Sequence, residues 1–280
     1  MNSKKVKIGI IGAGKIVSFF HLPILSSIED AQIAYLADVR DPRILARAHR
    51  TQAVTIGSSL EALPHCDIAL LAIPVAVREP YIFEFAKRGT YIFTEKPFAP
   101  TVELHKFWLS MTNHITCNYH RVLYDSISQI KRLMQSKILG KLREVKICEG
   151  GIIGKTGKGK ESYQNNLELS GGGIVIEWGC HTFSQLAYLF DQHSPTIIDA
   201  SAEYQDGFDV DLHAEWQLRC DAEVFSLSYD LSVVRPLETR SDFIFDNARV
   251  SFDHTRADAY LRIYENSSDE RDSSRFLLQL

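Results

Sequence analysis

Gly12-Ala13-Gly14-Lys15-Ile16-Val17 is the first stretch of this 280-residue chain whose residue types can do chemistry. It follows the apolar run Val6–Ile11 and opens a helix-like segment. Two glycines permit a tight turn and a close approach of backbone to a diphosphate, which then sits at the helix N-terminus. The last position of this G-x-G-x-x-G pattern is Val17, where a glycine or alanine would let helix and strand pack closely. Asp38 ends the second strand-like segment, 26 positions after Gly12. A carboxylate there accepts hydrogen bonds from ribose hydroxyls and repels a 2′-phosphate, which predicts NAD ahead of NADP; Arg40 and Arg43 lie close enough to lessen that repulsion. Glu95-Lys96-Pro97 ends the fifth strand-like segment. Ligands of open α/β sheets bind beyond the carboxyl ends of the strands, so a lysine there can reach both a cofactor and a substrate oxygen. Pro97 fixes the backbone and is a candidate for a cis bond.

The elements that must hold these residues alternate. Val6–Ile11, Gln32–Ala37, Ala53–Ile56, Asp67–Ile73 and Thr90–Thr94 read as short apolar strands. Lys15–Ser27, Pro42–Arg50 and Glu79–Lys87 read as helices between them, and Ser58–Glu61 as a further helix start. That order predicts a parallel sheet covered on both faces. The pattern changes after about residue 120. Asp125–Ser136 and Gly173–Phe190 are helices and Leu142–Cys148 is a strand. Val210–Cys220 alternates apolar and polar residues, Phe225–Leu231 repeats that, and Asp246-Asn247 turns a hairpin between Phe243–Phe245 and Ala248–Phe252. These predict a half-buried, largely antiparallel sheet. The fold expected is α/β over residues 1–118, a doubly wound dinucleotide-binding sheet, followed by an α+β substrate domain over 119–280 with an open sheet.

Composition narrows the classes. Forty-five per cent hydrophobic and 24% charged residues exclude a disordered or fibrous chain. Lys plus Arg number 31 and Asp plus Glu 35, a net charge of −4 with no bulk case for nucleic acid. No apolar run reaches the roughly 18 residues of a membrane helix. Lys4 and Lys5 precede an apolar stretch, but Lys7 interrupts it and no cleavage site follows. Five cysteines without a C-x-x-C pair fit a reducing, cytoplasmic setting.

Residues 6–118 resemble the N-terminal half of the Gfo/Idh/MocA family of sugar and polyol dehydrogenases. The resemblance rests on the glycine turn with His21-Leu22-Pro23 downstream, Asp38, Ile73-Pro74 and Glu95-Lys96-Pro97. It continues through Asn118-Tyr119-His120-Arg121, Gly140-Lys141-Leu142, Ser170-Gly171-Gly172-Gly173 and Glu177-x-Gly179-x-His181, which is similar to the family's D-x-G-x-H motif. The resemblance implies bound NAD(P) and hydride transfer at a substrate carbinol. Gly12, Gly14, Lys15, Ile16, Asp38, Arg40, Ile73, Pro74, Glu95 and Lys96 would bind cofactor. Lys96 would polarise the reacting oxygen and His181 would act as general acid/base. Glu177 stands where the family has Asp, and Ser184 where many members carry a second Asp. Histidine suits proton transfer near neutral pH, and a lysine stabilises a developing alkoxide. At i,i+4 on one helix face, Glu177 is placed to orient His181 or pair with Lys96. The resemblance also implies a small-molecule substrate and a homodimer or higher homo-oligomer through the open sheet. A non-catalytic dinucleotide-binding sensor or scaffold, or a reductase of an imine or tetrapyrrole, are the other readings.

Two patterns compete and lose. Gly154-Lys155-Thr156 resembles the end of a phosphate-binding loop, but Glu149 stands where that loop needs glycine. Lys155, Lys158 and Lys160 instead suit a basic loop able to meet an anionic substrate. Glu177, Cys180 and His181, and separately Asp209, Asp211 and His213, lack a second set of ligands at metal spacing, so no metal is expected.

Overall fold

The structure, a computed structural model, describes residues 5–56, 60–152, 162–220, 223–254, 256–263 and 277–279. The basic stretch with Lys155, Lys158 and Lys160 and the polar stretch Asn266–Ser274 lie outside the described residues. The chain divides into two compact units, Met1–Asn118 with Glu168–Gly171, and Tyr119–Leu167 with Gly172–Leu280.

The first unit is built on six parallel strands. They are β1 (Val6–Ile11), β2 (Ala31–Asp38), β3 (Gln52–Thr55), β4 (Ile68–Leu71), β5 (Tyr91–Thr94) and β6 (Ile115–Cys117). Their order is β3-β2-β1-β4-β5-β6. The chain therefore reverses its direction of winding between β1 and β4, and a crevice opens there beyond the strands' carboxyl ends. Helices α1 (Leu22–Ser27), α2 (Arg43–Ala48), α3 (Glu79–Lys87) and α4 (Val102–Met111) complete the connections. Ile8, Ile10, Leu36 and Leu70 are almost fully buried, with Val17 and Leu22 against them. Continuous apolar strands such as these are what a sheet covered on both faces requires.

The helix after β1 begins at Lys15 as expected, but it widens into a π-helical turn over Val17–His21 before continuing as α-helix over Leu22–Ser27. The widened turn begins at Val17, whose side chain is completely buried in the place usually kept small.

The second unit carries β7 (Leu142–Gly150), β8 (Ser194–Gln205), β9 (Phe208–Cys220), β10 (Glu223–Ser232), β11 (Arg240–Phe245), β12 (Ala248–Asp253), β13 (Asp258–Ile263) and β14 (Leu277–Gln279). Their order is β14-β13-β12-β11-β7-β10-β9-β8, and only β7 and β10 run parallel. Helices α5 (Asp125–Ser136) and α7 (Cys180–Leu189) share a core with this sheet through Ile127, Ile130, Leu189, Val145, Ile147, Tyr229 and Phe252. A one-turn helix α6 (Leu167–Ser170) precedes the glycine run. Gly173–Phe190 is again two elements: a π turn over Val175–Gly179, then α7. Strand β8 forms the edge beside β9, and every one of its residues is exposed. The polar face of β9 is not uniformly solvated, because Asp211 is buried beneath Arg235 and accepts from its Nε and Nη2 at 2.5 and 2.9 Å.

Candidate functional site

In the first unit, most of the predicted cofactor residues converge on one edge of the parallel sheet. Gly12 follows β1, Asp38 ends β2, Ile73-Pro74 follows β4 and Glu95 follows β5. Parallel strands place all four carboxyl ends on the same side. The turn is held from behind. Asp38 Oδ2 accepts the Ala13 N–H at 2.7 Å and Oδ1 accepts the Arg40 N–H at 2.8 Å. Each carboxylate oxygen has a second lone pair left for ribose hydroxyls. Arg40 reaches back only to 3.8 Å from Asp38 and its side chain is largely exposed. Lys15 and Ile16 are exposed at the same turn.

A dinucleotide's fit is readable in the two glycines. Gly12 has φ +102°, and a Cβ there would meet the Ala72 carbonyl oxygen at 2.4 Å. Only glycine lets β1 turn against β4 this closely. A Cβ on Gly14 would meet nothing within 4 Å. The space above Gly14 is open, as a diphosphate needs, so the turn fits NAD(P).

The Glu95-Lys96-Pro97 turn is clamped by a residue the sequence pattern did not single out. Arg78 is 2% exposed. Its Nε donates to the Ile73 carbonyl at 3.0 Å, its Nη1 to the carbonyls of Glu95 (2.5 Å) and Pro97, and its Nη2 to that of Lys96 at 3.4 Å. The Lys96–Pro97 bond is cis. Glu95 Oε1 accepts from His21 Nε2 at 2.6 Å and from Asn118 Nδ2 at 2.9 Å. Burial pushes the Glu95 carboxyl up, but those bonds and the His21 charge outweigh it and hold it below its ordinary value. His21, from the motif downstream of the glycine turn, thus buttresses the residue that precedes Lys96, which is itself half-buried.

The second unit positions Glu177 and His181. Asp209, on β9, fixes the segment before them: Oδ1 accepts the Gly173 N–H and Oδ2 the Val175 N–H, both at 2.7 Å. A Cβ on Gly173 would lie 2.2 Å from the Asp209 carbonyl oxygen, so glycine is required for this approach. The carboxylate caps the helix from a distant strand, a job its place in the sequence does not announce. Glu177 lies inside the π turn, where Oε1 accepts from Gln164 Nε2 at 2.5 Å. His181 is 6% exposed near the start of α7. Its ring meets that of His120 edge-to-face, with centroids 5.0 Å apart. Neighbouring residues are locked by Glu149 of β7, which accepts from Arg121 Nη1 at 2.6 Å, Thr182 Oγ1 at 2.7 Å and Tyr229 Oη at 3.2 Å. Burial raises the Glu149 carboxyl and the Arg121 charge more than offsets it, leaving it below its ordinary value. Among the described residues no group of three or more His, Cys, Asp or Glu is arranged to hold a metal. No described helix is long and apolar enough to cross a membrane.

Comparison with known proteins matches both units. The model for the oxidoreductase family with an NAD-binding Rossmann fold, GFO_IDH_MocA, covers residues 6–113, and the GFO/IDH/MocA C-terminal domain covers 127–250. The chain belongs to the Gfo/Idh/MocA family. Two curated relatives of this Gfo/Idh/MocA chain are the rhizopine catabolism protein MocA of Rhizobium meliloti and the D-glucoside 3-dehydrogenase of Escherichia coli. They are 23% identical over 67% of the chain and 22% identical over 68% of it. The matches span 58% and 55% of those relatives' own lengths. Among solved structures, the 3-ketoreductase KijD10 of Actinomadura kijaniata, crystallised with NADP and TDP-benzene, superposes with a TM-score of 0.80 at 12% identity. That match covers 99% of this chain and 84% of KijD10. At that identity it shows the shared fold.

Proposed function

We propose that this chain is an NAD(P)-dependent oxidoreductase. It moves hydride between nicotinamide and a secondary alcohol or ketone of a sugar, a polyol or a sugar derivative, phosphorylated or nucleotide-linked forms included. The observation that carries the reading is the placement of Lys96 two residues after β5, on the sheet edge that also holds the open Gly12–Gly14 turn and Asp38. When bound, nicotinamide supplies the hydride acceptor or donor. The chain's residues do the rest. The Lys96 ammonium stabilises the alkoxide that develops on the substrate oxygen. His181 takes the hydroxyl proton in oxidation and returns it in reduction. Glu177, tied to Gln164, sets the charge beside that helix. Asp38 favours NAD over NADP. Relatives named for a D-glucoside 3-dehydrogenase and a 3-ketoreductase support a carbinol of a sugar ring as the reacting group. The exposed edge strand β8 supports assembly of copies through the open sheet.

The test is titration of the purified protein with NADH and NADPH, read by fluorescence transfer from tryptophan, then turnover with D-glucosides and nucleotide-linked sugars. The expected result is tighter binding of NADH, and turnover that Lys96→Ala abolishes while NADH binding persists. Binding of neither nucleotide overturns the proposal. Binding without turnover of any sugar favours the sensor reading. Unchanged turnover in Lys96→Ala removes the lysine's role.

A further inference from the structure

A proton taken from substrate by His181 has to leave again. His181 is buried, with 6% of the residue exposed. The ring it meets edge-to-face, His120, is exposed. Of the two imidazoles, one is buried and the other is exposed.

The two histidine-bearing segments are tied together, chiefly through Glu149. His120 precedes Arg121 and His181 precedes Thr182, and Glu149 holds both Arg121 and Thr182 by bonds of 2.6 and 2.7 Å. The Gln185 Nε2 donates to the Arg121 carbonyl at 3.2 Å, tying α7 to the same 120–123 turn a second time. The Tyr124 ring also meets the His120 ring edge-on, with centroids 6.0 Å apart. A buried carboxylate with three donors is held rigidly, so the two histidine-bearing segments keep one spacing.

We propose that His120 is a relay residue that passes the proton between His181 and bulk solvent. The inference rests on the reading of His181 as the acid/base. In oxidation the carbinol carbon would give its hydride to an oxidised nicotinamide, and the O–H proton goes to a ring nitrogen of His181. The imidazolium then loses that proton to His120, and His120 loses it to water or buffer. Reduction runs the same path inward. Along the relay itself one proton is handed on at each step, and the oxidised nicotinamide of the proposed function is the one co-reactant. His120 acts through His181 and touches neither substrate nor cofactor in this scheme.

The test uses the full chain labelled with ¹⁵N-histidine. The rate at which the His181 ring N–H exchanges with water is measured by NMR, with the signal assigned by its loss in His181→Gln. Substitution His120→Ala is expected to slow that exchange about tenfold or more, and imidazole added to the buffer is expected to restore it. His120→Phe keeps an aromatic edge against His181 but has no transferable proton, so it should be slow and resist rescue. Wild-type exchange in His120→Phe would mean that the ring only packs, and the relay falls. Should His120→Ala fail to fold, His120→Phe alone decides. The measurement needs no substrate or nucleotide. A lost relay with Lys96-dependent turnover intact would leave the oxidoreductase reading standing. Full turnover in His181→Ala would instead remove the acid/base role of His181 and the relay with it, while the oxidoreductase reading stands.

Discussion

The Asp38 carboxylate receives the Ala13 amide at 2.7 Å from 25 residues further along the chain, so the acidic residue and the glycine turn form one unit. A ribose bound at Asp38 is then in fixed register with a diphosphate bound at the turn. Substituting Asp38→Ala removes the ribose acceptor and the charge that repels a 2′-phosphate. The expected outcome is about tenfold weaker NADH binding, near 1.4 kcal/mol, with NADPH binding unchanged or improved. Leaving the Ala13 and Arg40 amides without acceptors also costs about 1–3 kcal/mol of stability. Equal weakening of both nucleotides in a fluorescence titration would deny Asp38 its role in selection.

The two glycines of the turn separate folding from binding. In Gly12→Ala, the new Cβ clashes with the Ala72 carbonyl and the residue is held at φ +102°, so destabilisation of about 2–5 kcal/mol is expected. In Gly14→Ala the Cβ meets nothing within 4 Å. Its stability should stay within about 0.5 kcal/mol of the parent, while NADH affinity is lost because the methyl fills the diphosphate's space. Denaturant unfolding and nucleotide titration of both variants check this. Retained NADH affinity in Gly14→Ala would put the diphosphate elsewhere.

Arg78 supports Lys96 through the main chain, by bonds to the carbonyls of Glu95, Lys96 and Pro97. Replacing it with Met keeps the volume and leaves those carbonyls without their donor. A loss of about 2–4 kcal/mol is expected, because hydrogen bonds from a charged donor exceed ordinary ones. Turnover should fall more than NADH affinity, since the glycine turn is untouched. A variant with parental stability would show that water satisfies the carbonyls equally well.

How far the sequence carried differs between elements for physical reasons. Glu79–Lys87 and Asp125–Ser136 were readable to the residue, because each buries one stripe and begins at a clear break. Strands β1, β2, β4 and β5 were readable because burial makes them continuous apolar runs, whereas β6, three residues long with none buried, was not. Strand β8 was not: with all of Ser194–Gln205 exposed, its sequence has no buried face to alternate with. The π turns at Val17–His21 and Val175–Gly179 leave the apolar spacing almost unchanged and so look like ordinary helix. At the site, the glycine turn, Asp38, Lys96 and His181 announce themselves by local spacing. Arg78, Gln164 and Asp209 do not, because each acts on main chain or side chains far away in sequence. Glu149 left a signal: it falls on the same side of β7 as the buried Val145 and Ile147, and a charge at core parity has to be paired.

That pairing makes Glu149 a test of the second unit. Glu149→Ala strands the Arg121 guanidinium beside a buried cavity and removes the acceptor of Thr182 and Tyr229, so about 3–5 kcal/mol of stability should go. Glu149→Gln keeps the shape and some of the bonds and should cost less. Thermal or urea unfolding of the pair of variants ranks them. Equal, small losses would mean that Arg121 swings to solvent without penalty.

His254 gives the fold a sensitivity to acid. It is buried, its Nε2 lies 2.7 Å from Ser241 Oγ, and its Nδ1 has no hydrogen-bond partner among the described residues. Burial pushes the imidazole down from 6.5 to about 4, against the opposing pull of Glu149. Above pH 6.5 the ring is neutral whether the chain is folded or unfolded, and it costs nothing. Between about 6.5 and 4 the unfolded chain takes up a proton that the folded chain refuses, so stability falls with pH. The full loss, reached near pH 4, is about 3 kcal/mol. Carboxylates held low, Glu95 and Glu149 among them, lose stability in the same direction, so the informative quantity is the difference between parent and His254→Gln. Gln keeps a partner for Ser241 and cannot charge. The gap between the two unfolding free energies should therefore shift in favour of the variant by about 3 kcal/mol from pH 7 to pH 4. A gap that stays constant over that range would mean His254 protonates in the folded protein as freely as in the unfolded one.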